Sequence, residues 1–133
     1  MKILKFGGKS LSNGEGLNKV VSIITDKVNQ GEKIAVVVSA RGNATDELED
    51  ILRIAAKNGN YKPLLESFKA YQTSDYPKVD LSEEFNILDK LFEGVSLIGD
   101  YSNKIKDQIL SKGELLSAKL LTCLLYTSPS PRD

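Results

Sequence analysis

The chain has 133 residues with 18 basic and 18 acidic side chains, and this zero net charge argues against a nucleic-acid or anionic-membrane surface, which needs a basic excess. Histidine is absent, which excludes Ser–His and Cys–His nucleophiles and leaves lysine, carboxylates, hydroxyls and backbone amides for any chemistry. Because the N-terminal apolar block is too short for a secretory signal and no apolar stretch is long enough to span a membrane, we expect a cytoplasmic protein of one domain.

The apolar spacing of the first half of the chain predicts two strands, each followed by a helix. Residues 2–6 and the β-branched run 34–38 are typical of short strands, and helix-spaced apolar residues follow both of them. The order β-α-β-α predicts a parallel sheet with a crossover helix. A sheet of only two strands cannot bury both of its faces, so we expect further strands in the complete domain. More amphipathic helices are predicted around residues 64–71, 82–92 with Ser82 as N-cap, 105–112 and 115–121.

The first candidate site lies at the end of the first predicted strand, in the segment KFGGKS. Gly7 and Gly8 let the backbone approach an anion closely and aim N–H groups at it, and the N-terminal pole of the next helix adds positive charge. Lys5 would supply a point charge to a phosphoryl group during transfer. The alternative is an ordinary tight turn with Lys5 as an exposed strand residue, because two glycines after a strand are a weak signal.

Two further polar segments are candidates, each with a plain structural alternative. After the second strand, Ser39 and Thr45 offer hydroxyl groups, but Asn43 or Thr45 would equally serve as the cap of the next helix. Later in the chain, Gly113 and Glu114 form a second polar pair. There the alternative is that Gly113 ends one helix and Glu114 complements the dipole of the next.

Three motifs follow one another along the chain: KFGGKS, then VVSARGNATDEL, then GELLSA. Together they resemble the aspartate kinase branch of the amino acid kinase family, whose pattern is KFGGTS, VVSA-x-G-x-TDxL and GE-x-[LF]SA. The resemblance runs from Met1 to about Leu121, and the phrase FGGKSLSNGEGLNK is most similar to the form fused to a homoserine dehydrogenase. Lys9 departs from the family threonine, so it either adds a second positive charge near the phosphates or points to solvent.

The resemblance implies both a fold and a reaction. The fold is an α/β/α sandwich of three layers with a mainly parallel sheet, and residues 1–122 would be its N-terminal part. The reaction is transfer of the γ-phosphoryl group of ATP, with Mg²⁺, to the side-chain carboxylate of L-aspartate, in the biosynthesis of lysine, threonine and methionine. That carboxylate is ionised at neutral pH, since its ordinary pKa is about 3.9, so the lack of histidine is no obstacle.

The resemblance also assigns roles to individual residues. Ser39 and Thr45 would lie beside the aspartate substrate, and Glu114 would face its α-ammonium group. No residue of the chain is assigned to a metal. Four residues would bind the phosphates of ATP, with the first of them as the catalytic residue: Lys5, Gly7, Gly8 and Ser10.

The complete enzyme is expected to be a homo-oligomer, and this segment alone is expected to be inactive. The expectation of inactivity rests on the lack of an adenine pocket and of carboxylates for the Mg²⁺–nucleotide complex. Two alternatives stay open. One is another amino acid kinase, acting on acetylglutamate, glutamate or carbamate; the other is a non-catalytic module that binds an anion without turnover.

The segment CLLYTSPSPRD at residues 123–133 does not continue the motif pattern. It resembles the conceptual translation of a sequencing adapter, which predicts a non-native tail and a native sequence that departs from this chain after about Thr122. The alternative is a Ser/Pro-rich linker, since Pro129 and Pro131 disfavour a helix. Cys123, the one cysteine, carries no functional assignment.

Overall fold

Two short strands and five helices make up the part of the chain that the computed structural model describes, residues 1–76 and 78–127. The alternation of strands and helices in its first half confirms the predicted α/β class. No helix within these residues is both long and apolar enough to cross a membrane. In chain order the elements are β1 (Lys2–Phe6), α1 (Gly14–Asn29), β2 (Ile34–Val38), α2 (Ala44–Ala56), α3 (Lys62–Gln72), α4 (Ser82–Ile98) and α5 (Asn103–Thr127).

Strands β1 and β2 pair in parallel, in a register that joins Lys2 to Ile34 and Phe6 to Val38. This confirms the parallel pairing, with α1 as the crossover, that the element order predicts. Because side chains alternate along a strand, the apolar even-numbered strand residues pack onto α1 and α5. The opposite face carries Ile3 and Val37, which are 63% and 50% exposed. Within the described residues, helices therefore cover one face of the sheet.

Two hydrophobic clusters hold these elements together, and α5 contributes to both. The sheet cluster lies between the strands, α1 and the second half of α5, and its buried members are Leu11, Leu17, Val20, Ile24, Leu120, Leu121 and Leu124. The helical cluster lies among α2, α3, α4 and the first half of α5. Its buried members are Ala40, Ala44, Leu48, Ile51, Leu52, Ala55, Tyr61, Leu65, Phe68, Leu81, Leu88, Phe92, Val95, Ile109 and Leu116.

Local side chains explain where two of the helices begin. The side chain of Asn13 accepts the N–H of Gly16 at 2.8 Å and so caps α1. Gly31, with a φ of 81°, follows the C-terminal end of α1. Ser82, the predicted N-cap of α4, is instead its first helical residue. The carboxylate of Asp80 accepts the N–H of Ser82 at 2.9 Å, so the polar acceptor lies two residues earlier than predicted.

The predicted helix break at Gly113 is wrong, because α5 is one continuous helix. A Cβ at this position would lie 2.9 Å from the Cβ of Ala40 and 3.7 Å from the Cβ of Ala44. Such a short distance requires neighbouring atoms to shift. The glycine therefore permits close packing of α5 against the start of α2, and it does not end a helix.

Helix α5 also continues past Thr122, through Cys123 to Thr127. Leu124 is buried within the sheet cluster. The Ser/Pro-rich part of the predicted tail, from residue 128 onwards, lies outside the described residues. The proposed origin of residues 123–133 stays a prediction.

Candidate functional site

The loops that follow β1 and β2 are joined backbone to backbone. We call residues 7–13 the first loop and residues 39–43 the second loop. The N–H of Ser39 donates to the carbonyl of Phe6 at 3.1 Å, and the N–H of Gly42 donates to the carbonyl of Gly8 at 3.0 Å. The carboxyl ends of the two parallel strands therefore carry one continuous loop surface, which is where ligands bind in open parallel α/β sheets.

Glycines make this close contact possible. A Cβ on Gly8 would lie 2.7 Å from the carbonyl oxygen of Ala40. Gly42 has a φ of 52°, in the left-handed region that favours glycine, and a Cβ there would lie 2.9 Å from the hydroxyl of Tyr71. Gly7 differs, because no heavy atom lies within 4 Å of the place where its Cβ would stand. The backbone at Gly7 is therefore open to an approaching ligand, whereas Gly8 is half-buried against the second loop.

Helix α5 brings the third motif to the same surface. Gly113 packs on Ala40 of the second loop and on Ala44 at the start of α2. The hydroxyl of Ser117 donates to the carbonyl of Gly113 at 3.2 Å, one turn along the buried side of the helix. Glu114, the next residue, exposes its side chain. Three motifs that are far apart in the chain therefore meet at one edge of the sheet.

The side chains predicted to bind ligands surround these backbone contacts. Lys5 pairs with Val37 across the two strands and lies on the uncovered face of the sheet. Asn43 occupies the N-cap position of α2 without a side-chain hydrogen bond to the helix, and Thr45 is the second helical residue. The contacts thus join the backbones of the motifs, while five of the predicted site residues present their side chains to solvent: Lys5, Ser10, Ser39, Thr45 and Glu114.

Arg41, in the second loop, is a buried hub that sequence reasoning missed. Its side chain is fully buried. Nε donates to the carbonyl of Leu11 at 2.7 Å, and Nη1 donates to the carbonyls of Gln72 at 2.7 Å and Tyr71 at 3.2 Å. Burial lowers the pKa of the Arg41 guanidinium, and the nearby Tyr71 and Asp75 oppose that shift. The one sequence signal is a charged residue between two small ones, three residues after the end of a strand.

A cavity of about 510 Å³ opens beside the first loop. Lys9, Ser10 and Lys19 line it together with apolar residues of β1 and α1. Lys19 also lies 3.7 Å from the carboxylate of Glu15. Lys9 borders the same space as Ser10 and its side chain is exposed, so both alternatives for Lys9 stay open. Among residues 1–76 and 78–127, no group of three or more His, Cys, Asp or Glu side chains could hold a metal ion.

Similar proteins, by sequence and by fold, include aspartokinases from several organisms. A model of the amino acid kinase family matches residues 1–131. The bifunctional aspartokinase/homoserine dehydrogenase of Buchnera aphidicola is 33% identical over 142 residues, an alignment that covers 96% of this chain and 17% of that protein. The aspartokinase of Candida albicans is 26% identical over 140 residues, which cover 92% of this chain and 25% of that protein.

The fold is similar to that of E. coli aspartokinase III, in a crystal structure of its complex with aspartate and ADP (R-state). The TM-score is 0.73 at 23% identity, and the match covers 95% of this chain and 29% of that chain. The chain therefore spans less than a third of the length of each of these similar proteins. At this identity the likeness to the crystal structure concerns the fold.

Proposed function

Since the chain belongs to the amino acid kinase family, we propose that it is part of an aspartate kinase. The loops at the carboxyl ends of its two strands would bind the ATP phosphates and L-aspartate. The proposed reaction of the complete enzyme is transfer of the γ-phosphoryl group of ATP to the side-chain carboxylate of L-aspartate, giving 4-phospho-L-aspartate. Relatives named as aspartokinases support this pair of substrates, as does the likeness to a fold crystallised with aspartate and ADP.

The observation that carries the proposal is the contact among the three motifs. A kinase that phosphorylates a carboxylate must hold two anionic groups side by side, because its catalysis consists of positioning and charge neutralisation. The first loop offers N–H groups, with Lys5 on the strand before it. The second loop, the start of α2 and α5 offer hydroxyls and the carboxylate of Glu114. The groups for the phosphates and the groups for aspartate lie side by side, because Gly8 contacts Ala40 and Ala40 in turn contacts Gly113.

Different parts of the reaction would use different charges. The amine of Lys5, on the uncovered face of the sheet, would offset the negative charge on the phosphoryl group while it moves. Glu114 would pair with the α-ammonium group of aspartate, which keeps its charge throughout the reaction, so Glu114 would contribute to binding more than to rate. The attacking carboxylate is already ionised at neutral pH, because its ordinary pKa is about 3.9, so no general base is needed.

Kinases of this kind use the Mg²⁺ complex of ATP. Mg²⁺ prefers carboxylate and carbonyl oxygens. The carboxylates of Glu15 and Glu114 lie near the two loops, but among the described residues no group of three or more such side chains could hold a metal ion. The described residues therefore do not fit a resident Mg²⁺.

Calorimetric titration of the chain with MgADP tests the proposal. We expect saturable binding by the unaltered chain and a Kd about tenfold higher for Lys5→Met, because a hydrogen bond to a charged group contributes about 1.5 kcal/mol or more. The matched control is Lys57→Met, which removes an exposed lysine just after the C-terminal end of α2. It should leave the Kd unchanged. An unaltered chain that does not bind MgADP, or equal Kd values for the two variants, contradicts the proposal.

A second titration, with L-aspartate, separates the two sets of ligand groups. Glu114→Gln should raise the Kd for L-aspartate about tenfold, since it removes one partner of a charge pair, and should leave the Kd for MgADP unchanged. Glu93→Gln is the matched control, because Glu93 is an exposed glutamate on α4. If Glu114→Gln weakens MgADP and L-aspartate equally, the role of Glu114 as a specific partner of the ammonium group is wrong.

A further inference from the structure

We propose that Arg41 is a positioning residue that fixes the first loop against the second loop and against the end of α3, and so sets the arrangement of the N–H groups that face the phosphates. The effect of Arg41 on ligand binding rests on the proposed function of the loops. The role of Arg41 in holding the two loops together does not depend on that function.

The guanidinium of Arg41 reaches two segments besides its own loop. In the first loop, Nε donates to the carbonyl of Leu11 at 2.7 Å and Nη2 donates to the carbonyl of Ser12 at 3.4 Å. At the end of α3, Nη1 donates to the carbonyls of Tyr71 at 3.2 Å and Gln72 at 2.7 Å. One side chain therefore holds three parts of the chain in a single arrangement.

Tyr71 reinforces the same junction. Its hydroxyl donates to the carbonyl of Ser12 at 2.5 Å, and its ring centroid lies 4.8 Å from the central carbon of the Arg41 guanidinium. The carboxylate of Asp75 lies 3.7 Å from Nη2 of Arg41 and partly balances its charge. Gly42 completes the junction, because only a residue without a side chain lets the Tyr71 hydroxyl approach the second loop this closely.

The chemistry of the junction requires an arginine. A fully buried guanidinium is unfavourable unless its N–H groups are paired, and here they donate to four backbone carbonyls. The planar fork of the guanidinium spans acceptors in different directions, whereas lysine concentrates its donors at one atom. Lysine at position 41 would keep the positive charge but would leave several of these carbonyls without their donor.

The consequence for the site follows from the position of the acceptors. Leu11 and Ser12 belong to the same loop as Gly7, Gly8 and Ser10, the proposed phosphate-binding residues. If this loop takes its binding arrangement in only a fraction of the molecules, the apparent Kd rises in inverse proportion to that fraction. Arg41 would therefore act on affinity without touching the ligand.

Two readouts on the same variants test the proposal. The first is amide hydrogen exchange at Gly42, whose N–H donates to the carbonyl of Gly8, and the second is the Kd for MgADP. We expect Arg41→Lys to raise both the exchange rate at Gly42 and the Kd by about tenfold. Tyr71→Phe, which removes the hydroxyl and keeps the ring, should change both quantities in the same direction by a smaller factor. Tyr71→Phe carries the test by itself if Arg41→Lys does not fold.

Two controls separate positioning from a general effect of an Arg→Lys substitution and from loss of stability. Arg53→Lys makes the same substitution at an exposed arginine of α2 and should change neither readout. Phe92→Leu weakens the helical cluster without touching the loops. Unchanged exchange at Gly42 in both junction variants, or an equal change in Phe92→Leu, overturns the proposal. If the unaltered chain does not bind MgADP, the proposed function fails, and exchange at Gly42 alone decides whether Arg41 fixes the loops.

Discussion

The helical region and the sheet region of this chain differ in how completely they bury their apolar side chains. In the helical cluster, Phe68, Leu88 and Phe92 are all fully buried among four helices. In the sheet region, every strand residue is half-buried at most, and Ile3 and Val37 are 63% and 50% exposed. The proposed phosphate-binding and aspartate-binding residues cluster beside the less completely packed region. The proposed ligand site thus lies where the packing is open, beside a closed helical core.

Two features connect the regions and support the loops. Helix α5 packs on the second loop through Gly113, and it contributes to both hydrophobic clusters. Arg41 ties both loops to the end of α3 in the helical region. Substitutions in the two regions and at their junction should therefore have distinguishable effects.

The largest expected contrast is between the two regions themselves. Phe92→Ala should lower the free energy of unfolding by about 3–5 kcal/mol, because it leaves a cavity in the closed helical cluster. Ile3→Ala, on the open face of the sheet, should change the same quantity by about 0.5 kcal/mol or less. Urea denaturation followed by circular dichroism measures both. Similar losses for the two variants would mean that the open face of the sheet is covered in solution.

The junction should respond to a single added methyl group. Gly113→Ala should destabilise the chain by about 1–3 kcal/mol, because the new Cβ overpacks the contact with Ala40. Gly94→Ala is the matched control within α4, where no heavy atom lies within 4 Å of a Cβ, and it should stabilise the chain by about 0.5–1 kcal/mol. Thermal unfolding shows the sign of each change. A stabilising effect of Gly113→Ala would contradict the close packing of α5 on the second loop.

A pH-dependent contribution should come from Glu84 on α4. Its buried carboxylate accepts hydrogen bonds from Lys119 at 2.9 Å and from Lys112 at 3.0 Å, both on α5. The hydrogen bond from Lys119 lowers the pKa of Glu84, burial opposes this shift, and Lys112 lowers the pKa further. Because the folded-state pKa is lowered, the stabilisation is complete above the ordinary glutamate pKa of about 4.3 and is lost as the pH falls through the folded-state value.

Glu84→Gln should therefore lower the free energy of unfolding by about 1 kcal/mol at pH 7, and the gap to the unaltered chain should close at acid pH. Glu15→Gln is the control, since Glu15 forms an exposed pair with Lys19 that should contribute little at any pH. Denaturation curves at several pH values measure the gap. A gap that is constant between neutral and acid pH would show that the ionised form of Glu84 is not stabilised by the two lysines.

Much of the sheet region could be predicted, because local patterns determine it. Two apolar runs separated by an amphipathic segment predicted β1, α1, β2 and their parallel pairing, and the structure confirms them. The motif resemblance to aspartate kinases agrees with the family match. The roles of Lys5 and Glu114 stay predictions, because exposure alone does not distinguish a side chain that binds a ligand from one that is merely solvated.

At Gly113 and Arg41, sequence reasoning failed because a long-range contact decides the role of the residue. Gly113 has the local appearance of a helix end, yet its lack of a side chain serves packing against Ala40, which is distant in sequence. Arg41 has the local appearance of a solvated loop charge, yet its acceptors lie in the first loop and at the end of α3. No periodicity or motif spacing reports such contacts, since their partners come together only in the folded chain.

Chemical-shift mapping of the ¹⁵N-labelled chain with MgADP tests most directly the claim that the joined loops form a phosphate site. We predict the largest shifts at the amides of Gly7, Gly8 and Ser10, smaller shifts in the second loop, and none at Phe68 or Phe92 in the helical cluster. Unmoved first-loop amides at saturating MgADP, or shifts confined to the helical region, would contradict the claim.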